Sequence, residues 1–394
     1  MNNKSELVEK AEFYFEYTRS LRRDFHRHPE LGFQEIRTSG VIARELGQLG
    51  LDVTTGIAKT GVVGLLEGEK PGPTILLRFD MDALPVTEET GADYASQTAG
   101  VMHACGHDGH MAAGITIARI LSESRQHLKG RVKFIFQPAE EGLGGAALMI
   151  QEGILCDPSP DYALAFHLWN DRPVGWLGVT PGPLMAGAEI FNIRIIGQGG
   201  HGAIPDQAID PVVAAAHLIT SLQTITSRNV SPLQSAVLSI TYLEAGNAYN
   251  VIPEQVELRG TIRVFETSVR HLVIERMRQI GDGVAQSFNC QIALDIQGLT
   301  PPVINDPEVT QVVEKSAITL YPTLNIDRQF RTMVSEDMAF FLERIPGCYI
   351  MVGSANPKKD LCYSHHHPKF DFDERALINA VAVITGAVYE LMGV

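Results

Sequence analysis

Met102-His103-Ala104-Cys105-Gly106-His107-Asp108-Gly109-His110 gathers three imidazoles, a thiol and a carboxylate into nine residues, a density of metal-binding groups that packing alone does not call for. Gly106, between Cys105 and His107, lets the backbone turn tightly, so a thiolate sulfur and an imidazole nitrogen can converge on one ion. Beyond Asp108 the apolar residues Met111, Ile115, Ala118, Ile120 and Leu121 recur at helical spacing. The cluster therefore sits where a loop becomes a helix, with Asp108 placed to cap it. A run of exposed histidines ahead of a helix is the plain alternative. It leaves unexplained the acidic and histidine positions that recur downstream, each after an apolar, strand-like run.

Upstream, residues 62–66 and 74–79 read as strands joined by the turn-rich Glu67-Gly68-Glu69-Lys70-Pro71-Gly72-Pro73. The second runs into Asp80-Met81-Asp82, two carboxylates suited to orient histidine ligands. Downstream, the strand at 132–136 leads into Gln137-Pro138-Ala139-Glu140-Glu141-Gly142. Adjacent glutamates at the end of a buried strand repel unless a cation or a proton intervenes, so one holding metal and the other moving a proton resolves the conflict. A strand at 162–166 ends at His167, and a strand at 347–352 precedes Ser364-His365-His366-His367-Pro368. One of those three histidines would deliver a last ligand, and the residues alone do not choose among them. Strand, then polar ligand, then helix is the order of an open α/β sheet with its site beyond the carboxyl ends of the strands.

At the N-terminal end, Leu7, Ala11, Tyr14, Leu21 and Phe25 mark an amphipathic helix over 5–27 that Pro29 stops, with a second helix at 38–49. His26 and His28, among Arg22, Arg23 and Arg27, read as its solvated basic end. The pattern changes near Pro181-Gly182-Pro183. Strands at 189–196, 236–243, 255–264 and 291–296 then alternate with helices at 210–227 and 268–288 in the order βαββαβ, a split ferredoxin-like arrangement. The expected fold is therefore α/β: a catalytic domain over residues 1–183 and 299–394, with a central mixed sheet flanked by helices, interrupted by an inserted α+β domain over 184–298. A helix at 307–320 resumes the first domain.

The chain has 394 residues, enough for two cores, and 45% hydrophobic with 20% charged residues is the balance of a globular protein. A formal charge of -14 argues against nucleic acid and anionic membranes as partners. No apolar run reaches the ~18 residues of a membrane span. Residues 1–10 are polar, so no secretory signal is expected, and five cysteines without a Cys-x-x-Cys pair suit a reducing compartment. The expected location is the cytoplasm.

Beyond this reading, the sequence resembles the M20 metallopeptidase family, in particular its amidohydrolase branch of hippurate hydrolases, N-acyl-amino-acid deacetylases and auxin-conjugate hydrolases. The resemblance covers nearly the whole chain. It is carried by Asp24-Phe25-His26-Arg27-His28-Pro29-Glu30-Leu31, Asp80-Met81-Asp82-Ala83-Leu84-Pro85, the Cys105 to His110 cluster, Pro138-Ala139-Glu140-Glu141, Gly199-Gly200-His201-Gly202, Asn250-Val251-Ile252-Pro253 and His366-His367-Pro368. It implies two divalent ions per subunit held by Cys105, His107, Glu141, His167 and His366, the last chosen because the family's ligand lies two residues before the proline. Asp80, Asp82 and Asp108 are the carboxylates expected behind them, and Glu140 the general base. The resemblance further implies that the inserted domain acts as a lid and dimerises, and that His201 stabilises the tetrahedral oxyanion. Asn250 and Arg263 are the candidates to grip a substrate carboxylate, the arginine because a guanidinium fork matches it.

The expected activity is hydrolysis of the amide bond of an N-acyl amino acid, with cleavage of short peptides by a carboxypeptidase or dipeptidase as the alternative. A thiolate ligand suits zinc on softness grounds, while manganese, cobalt and nickel are all compatible with the resemblance. A hydrolase with Cys105 as nucleophile would leave Glu140, Glu141, His167 and His366 without a role. A non-catalytic metal carrier would leave the proton-shuttling glutamate without one.

Overall fold

The computed structural model describes residues 4–394. Its contacts divide the chain into two compact units. The first comprises Met1–Leu184, Ile304–Arg331 and Asp337–Val394, and the second Met185–Val303 and Thr332–Glu336.

In the first unit, four parallel strands form the middle of an eight-stranded sheet: Lys129–Gln137, Lys70–Asp80, Tyr162–Pro173 and Gly347–Ala355, side by side in that order. Their apolar runs are buried continuously rather than on alternate residues, as a sheet covered on both faces requires. Phe79, Phe136 and Phe166 meet across this core with ring centroids 5.3 and 6.2 Å apart. On one side Gly61–Glu67 and Asp52–Ile57 extend the sheet antiparallel. On the other, the short strands Trp176–Gly178 and Asn325–Asp327 complete it. The helices His107–Glu123 and Ala376–Met392 pack on it, each buried along most of its length.

The second unit has its own apolar core. Its sheet is antiparallel throughout, ordered Ala236–Glu244, Gln255–Val264, Gly187–Ile196, Gln291–Thr300. Together with the helices Pro211–Thr224 and Thr267–Phe288 this is the ferredoxin-like topology that the βαββαβ order anticipates. Strand Gln255–Val264 alternates buried and open positions, the signature of a sheet with one face on a core.

Three expectations are corrected, and one strand is added. The N-terminal helix is two, Lys4–Phe13 and Phe15–Arg27, broken at Tyr14. Strand Asp52–Ile57 escapes a reading based on apolar runs because it carries polar residues and a glycine. The strand bearing His167 does not end there but continues to Pro173. Finally, the helix end at Arg22 and His26 is not solvated, since both residues are completely buried.

Candidate functional site

Gly106 stands at φ +92°, in the left-handed region where glycine is at ease, and the helix His107–Glu123 starts immediately after it. Cys105 and His107 are thereby turned toward a common space. Asp108 does not cap the helix, because its Oδ2 accepts instead from Arg22 Nε and is 2.7 Å from His26 Nδ1.

The five residues expected as ligands come together. Cys105 groups with His107 and His167, and again with Glu141 and His366, the donor atoms of each group lying within 4.8 Å of one another. His107 also groups with Glu140 and Glu141. Hydrogen bonds fix which nitrogens face the cluster. His107 Nδ1 lies 2.8 Å from the Asp82 carbonyl and His167 Nδ1 2.6 Å from the Leu168 carbonyl. A carbonyl can only accept, so each Nδ1 carries a proton and each Nε2 is the nitrogen turned toward the cluster. Cys105 Sγ is 3.5 Å from His167 Nε2. His107 Nε2 and Glu141 Oε1 lie buried 4.0 Å apart, too far for a hydrogen bond, and the same oxygen is 3.3 Å from His366 Nε2. A thiol sulfur, imidazole nitrogens and carboxylate oxygens converging on one largely buried space are a donor set that fits divalent metal.

His110 belongs to the same stretch but is not available to an ion. The Leu168 N–H donates to its Nε2 at 3.0 Å, which puts the other proton on Nδ1, bonded to Asp80 Oδ1 at 2.5 Å. Among the three consecutive histidines, His365 turns its Nε2 to the Leu168 carbonyl at 2.9 Å, and His367 stacks on Tyr363 while its Nδ1 accepts from the Lys369 N–H. His366 alone of these reaches the cluster, its Nε2 3.3 Å from Glu141 Oε1. Its backbone adopts φ +67° and its N–H is tied to the Ala104 carbonyl at 2.8 Å.

The two glutamates are presented by a braced turn. Ala139 has φ +57°. Three successive backbone N–H groups bind two carboxylates: Ala139 donates to Glu35 Oε1 at 3.0 Å, Glu140 to Asp82 Oδ1 at 3.1 Å and Glu141 to Asp82 Oδ2 at 3.0 Å. Gly145 lets the chain pass the turn, since a Cβ there would meet the Pro138 carbonyl oxygen at 1.7 Å. Asp82 thus meets His107 with its main-chain carbonyl and, at 3.4 Å, with its carboxylate, which also holds the backbone of the two glutamates. Asp80 is held by Arg78, whose Nη1 donates to Oδ2 at 2.7 Å, while Arg78 also bonds Gln137 and Asp337.

The local field is strongly negative. Burial, reinforced by Glu141, Glu140 and Asp80, pushes the Cys105 thiol well up, so without a cation it stays protonated, contrary to what a thiol nucleophile needs. Burial pulls His107 down, but Asp80, Asp82 and Glu141 outweigh it and carry it up to about 10. His167 is lowered, first by burial and then by His110 and His365.

In the second unit, His201 is exposed and its Nδ1 accepts from the Ala203 N–H at 3.1 Å. Gly202 donates to the Asn250 carbonyl at 2.8 Å, so His201 and Asn250 adjoin. Arg263 is half-buried and donates to Ser335 Oγ at 3.2 Å. Sequence reasoning missed Glu35, Arg78, Gln137 and Asp337, which, apart from the Arg78–Asp80 pair, meet partners distant in the chain. The one available signal was an arginine at position 78 within an otherwise apolar strand.

Comparison with known proteins agrees with this geometry. N-acetylcysteine deacetylase of Bacillus subtilis is 41% identical over 360 residues, 91% of this chain and 92% of its own. Hippurate hydrolase of Campylobacter jejuni is 37% identical over 366 residues, 92% and 93% of the two chains. Among solved structures, the YXEP protein of Bacillus subtilis, described as a dinuclear metal-binding peptidase of the M20 family, superposes with a TM-score of 0.86 at 35% identity, covering 97% of this chain and 99% of that one. The profile of Peptidase family M20/M25/M40 matches residues 76–390, and the chain accordingly belongs to that family of hydrolases acting on amide bonds.

Proposed function

We propose that the protein hydrolyses the amide bond of N-acyl amino acids with two divalent ions held by Cys105, His107, Glu141, His167 and His366. The observation that carries this reading is the convergence of Cys105 with His107 and His167 and again with Glu141 and His366, donor atoms of each group within 4.8 Å of one another, with Glu140 grouped beside His107 and Glu141. When bound, such ions supply a Lewis acid that acidifies water and polarises an amide carbonyl. Glu140 takes the proton of the attacking water and returns it to the leaving nitrogen. Asp82 keeps the two glutamates in distinct orientations by gripping each backbone N–H separately. The names of the deacetylase and hippurate hydrolase relatives favour an N-acyl amino acid substrate.

In the second unit, His201 is assigned to the oxyanion, and Asn250 and Arg263 to the substrate carboxylate. Arg263 makes one side-chain hydrogen bond, to Ser335, which leaves donors of its fork for an anion. A homodimer joined through this unit and a reducing cytoplasmic location, which keeps Cys105 available as a thiolate ligand, complete the proposal.

The test separates the two glutamates. Chelation should abolish hydrolysis and metal should restore it. Glu140→Gln should retain metal and lose about 10²- to 10⁴-fold in turnover, whereas Glu141→Gln should lose metal as well. Equal metal loss in both variants would reject the roles assigned here, and full activity in stripped protein would reject metal catalysis.

A further inference from the structure

The motif around His26 has no part in the chemistry just described, yet its ring is buried deeply between two carboxylates. His26 Nδ1 is 2.7 Å from Asp108 Oδ2 and its Nε2 is 3.3 Å from Glu88 Oε1. Carboxylates accept, so serving both requires a proton on each ring nitrogen, that is, an imidazolium. Burial opposes that charge, but Asp108 and Glu88 outweigh burial and the neighbouring Arg22, and His26 is raised above its ordinary value. The other groups facing the ring are Tyr94 from the 85–101 segment, at 5.7 Å between centroids, and His103 from the segment before Cys105, at 6.5 Å.

Each side of this bridge leads to a ligand candidate. Asp108 follows His107 directly at the start of its helix. Glu88 belongs to residues 85–101, a long stretch with neither helix nor strand, which therefore relies on side chains to hold its course. Its second oxygen accepts from the Ser96 N–H at 2.7 Å, closing the stretch on itself. The next residue, Glu89, donates its N–H to the Pro368 carbonyl at 2.8 Å, two residues beyond His366. Gln97 N–H is fastened to the Arg27 carbonyl at 2.8 Å, and Tyr94 Oη to Asp371 at 2.7 Å. Arg22 links the same parts, reaching Asp108 and Asp371 at 2.7 Å each while lying between the rings of Tyr94 and Phe372.

We propose that His26 is a positioning residue for the metal centre: its bridge from Asp108 to Glu88 fixes the 85–101 segment, which in turn fixes the turn carrying His366 against the helix carrying His107. The proposal rests on the assignment of His366 as a ligand. It gives a role to a histidine 340 positions away in the sequence from the turn it serves.

Glu88→Gln is the milder variant, because it weakens the bridge on the loop side and leaves Arg22, His26 and Asp108 joined. His26→Gln removes the charge itself. Two measurements decide the matter. Amide hydrogen exchange on the metal-free protein should be about 10-fold faster in residues 85–101 and also in 364–368 of the Glu88→Gln variant. Competition between zinc alone and a chelator should show one of the two ions bound about 10- to 100-fold more weakly in both variants, the other unchanged. Unaltered exchange at 364–368, or unaltered affinity for both ions beside a lowered Tm, would overturn the coupling and leave His26 a structural residue. Should the parent protein bind no zinc at all, the metal reading falls, while hydrogen exchange still decides the latch.

Discussion

His26 and Cys105 show two ways in which one side chain finds its partners: His26 is completely buried with its ring between Asp108 and Glu88, whereas Cys105 meets His107 across a single glycine. Cys105, Gly106 and His107 are neighbours in the chain, and a turn between two donors is visible in the letters themselves. His26 is different. Its two partners lie 82 and 62 positions away, so a histidine among arginines looked like a solvated helix end. Burial with two carboxylates makes its stabilising effect dependent on pH. The folded value of His26 is raised, so its contribution is complete below about pH 6.5 and is lost as pH climbs through the folded value. Asp108 is depressed despite burial, by Arg22 and His26, so its contribution is complete above about pH 4 and is lost on acidification. Metal-free His26→Gln should therefore be less stable than the parent by about 3 kcal/mol between those limits, the cost of removing one partner from a buried pair. The gap should narrow as pH climbs through the folded value of His26. A Tm difference that stays flat however far pH is raised while the parent remains folded would show that the charge on His26 is irrelevant to stability.

Elements were legible where a local signal marked their ends. The helix Pro307–Leu320 starts at Asp306, whose carboxylate accepts from the N–H groups of Glu308 and Val309 at 2.9 Å, followed by the proline favoured at the first helical position. The break at Tyr14 and the outer strand Asp52–Ile57 have no such marks. What the sequence also conceals is which helical glycines are spacers. Gly114 lies against the sheet, and a Cβ there would meet the Phe79 ring at 2.7 Å. Phe79 is itself enclosed by Phe136 and Phe166 and cannot retreat. Alanine in place of glycine gains about 1 kcal/mol in helix propensity but overpacking costs about 1–3 kcal/mol, so Gly114→Ala should lower the Tm. Gly40 sits in the helix Ile36–Gln48 with open space where its Cβ would be. Gly40→Ala should raise the Tm, with propensity as the main term. Equal shifts in the two variants would refute the spacer role of Gly114.

For the whole molecule, the change of pattern near Pro181 announced a second body of structure, while the return of Thr332–Glu336 to it lay beyond any local signal. All five proposed ligands belong to the first unit. Ligand binding stabilises what it touches by mass action, about 2.7 kcal/mol at a hundredfold excess over Kd. Excess zinc should therefore slow hydrogen exchange in the helix His107–Glu123 and leave the helix Thr267–Phe288 of the second unit unaffected. Uniform protection of both helices would mean that the two cores unfold as one.

The turn at Ala139 carries one more implication. The backbone of positions 139–141 is fastened to Glu35 and Asp82 through main-chain N–H groups, which every residue except proline possesses. Glu140 and Glu141 are in that sense replaceable heads, each on its own fixed mount. A library of replacements at these two positions should leave the backbone where it is, so differences among its members would report acidity, reach and donor type, and the enzyme offers a frame on which other reactive groups can be tried.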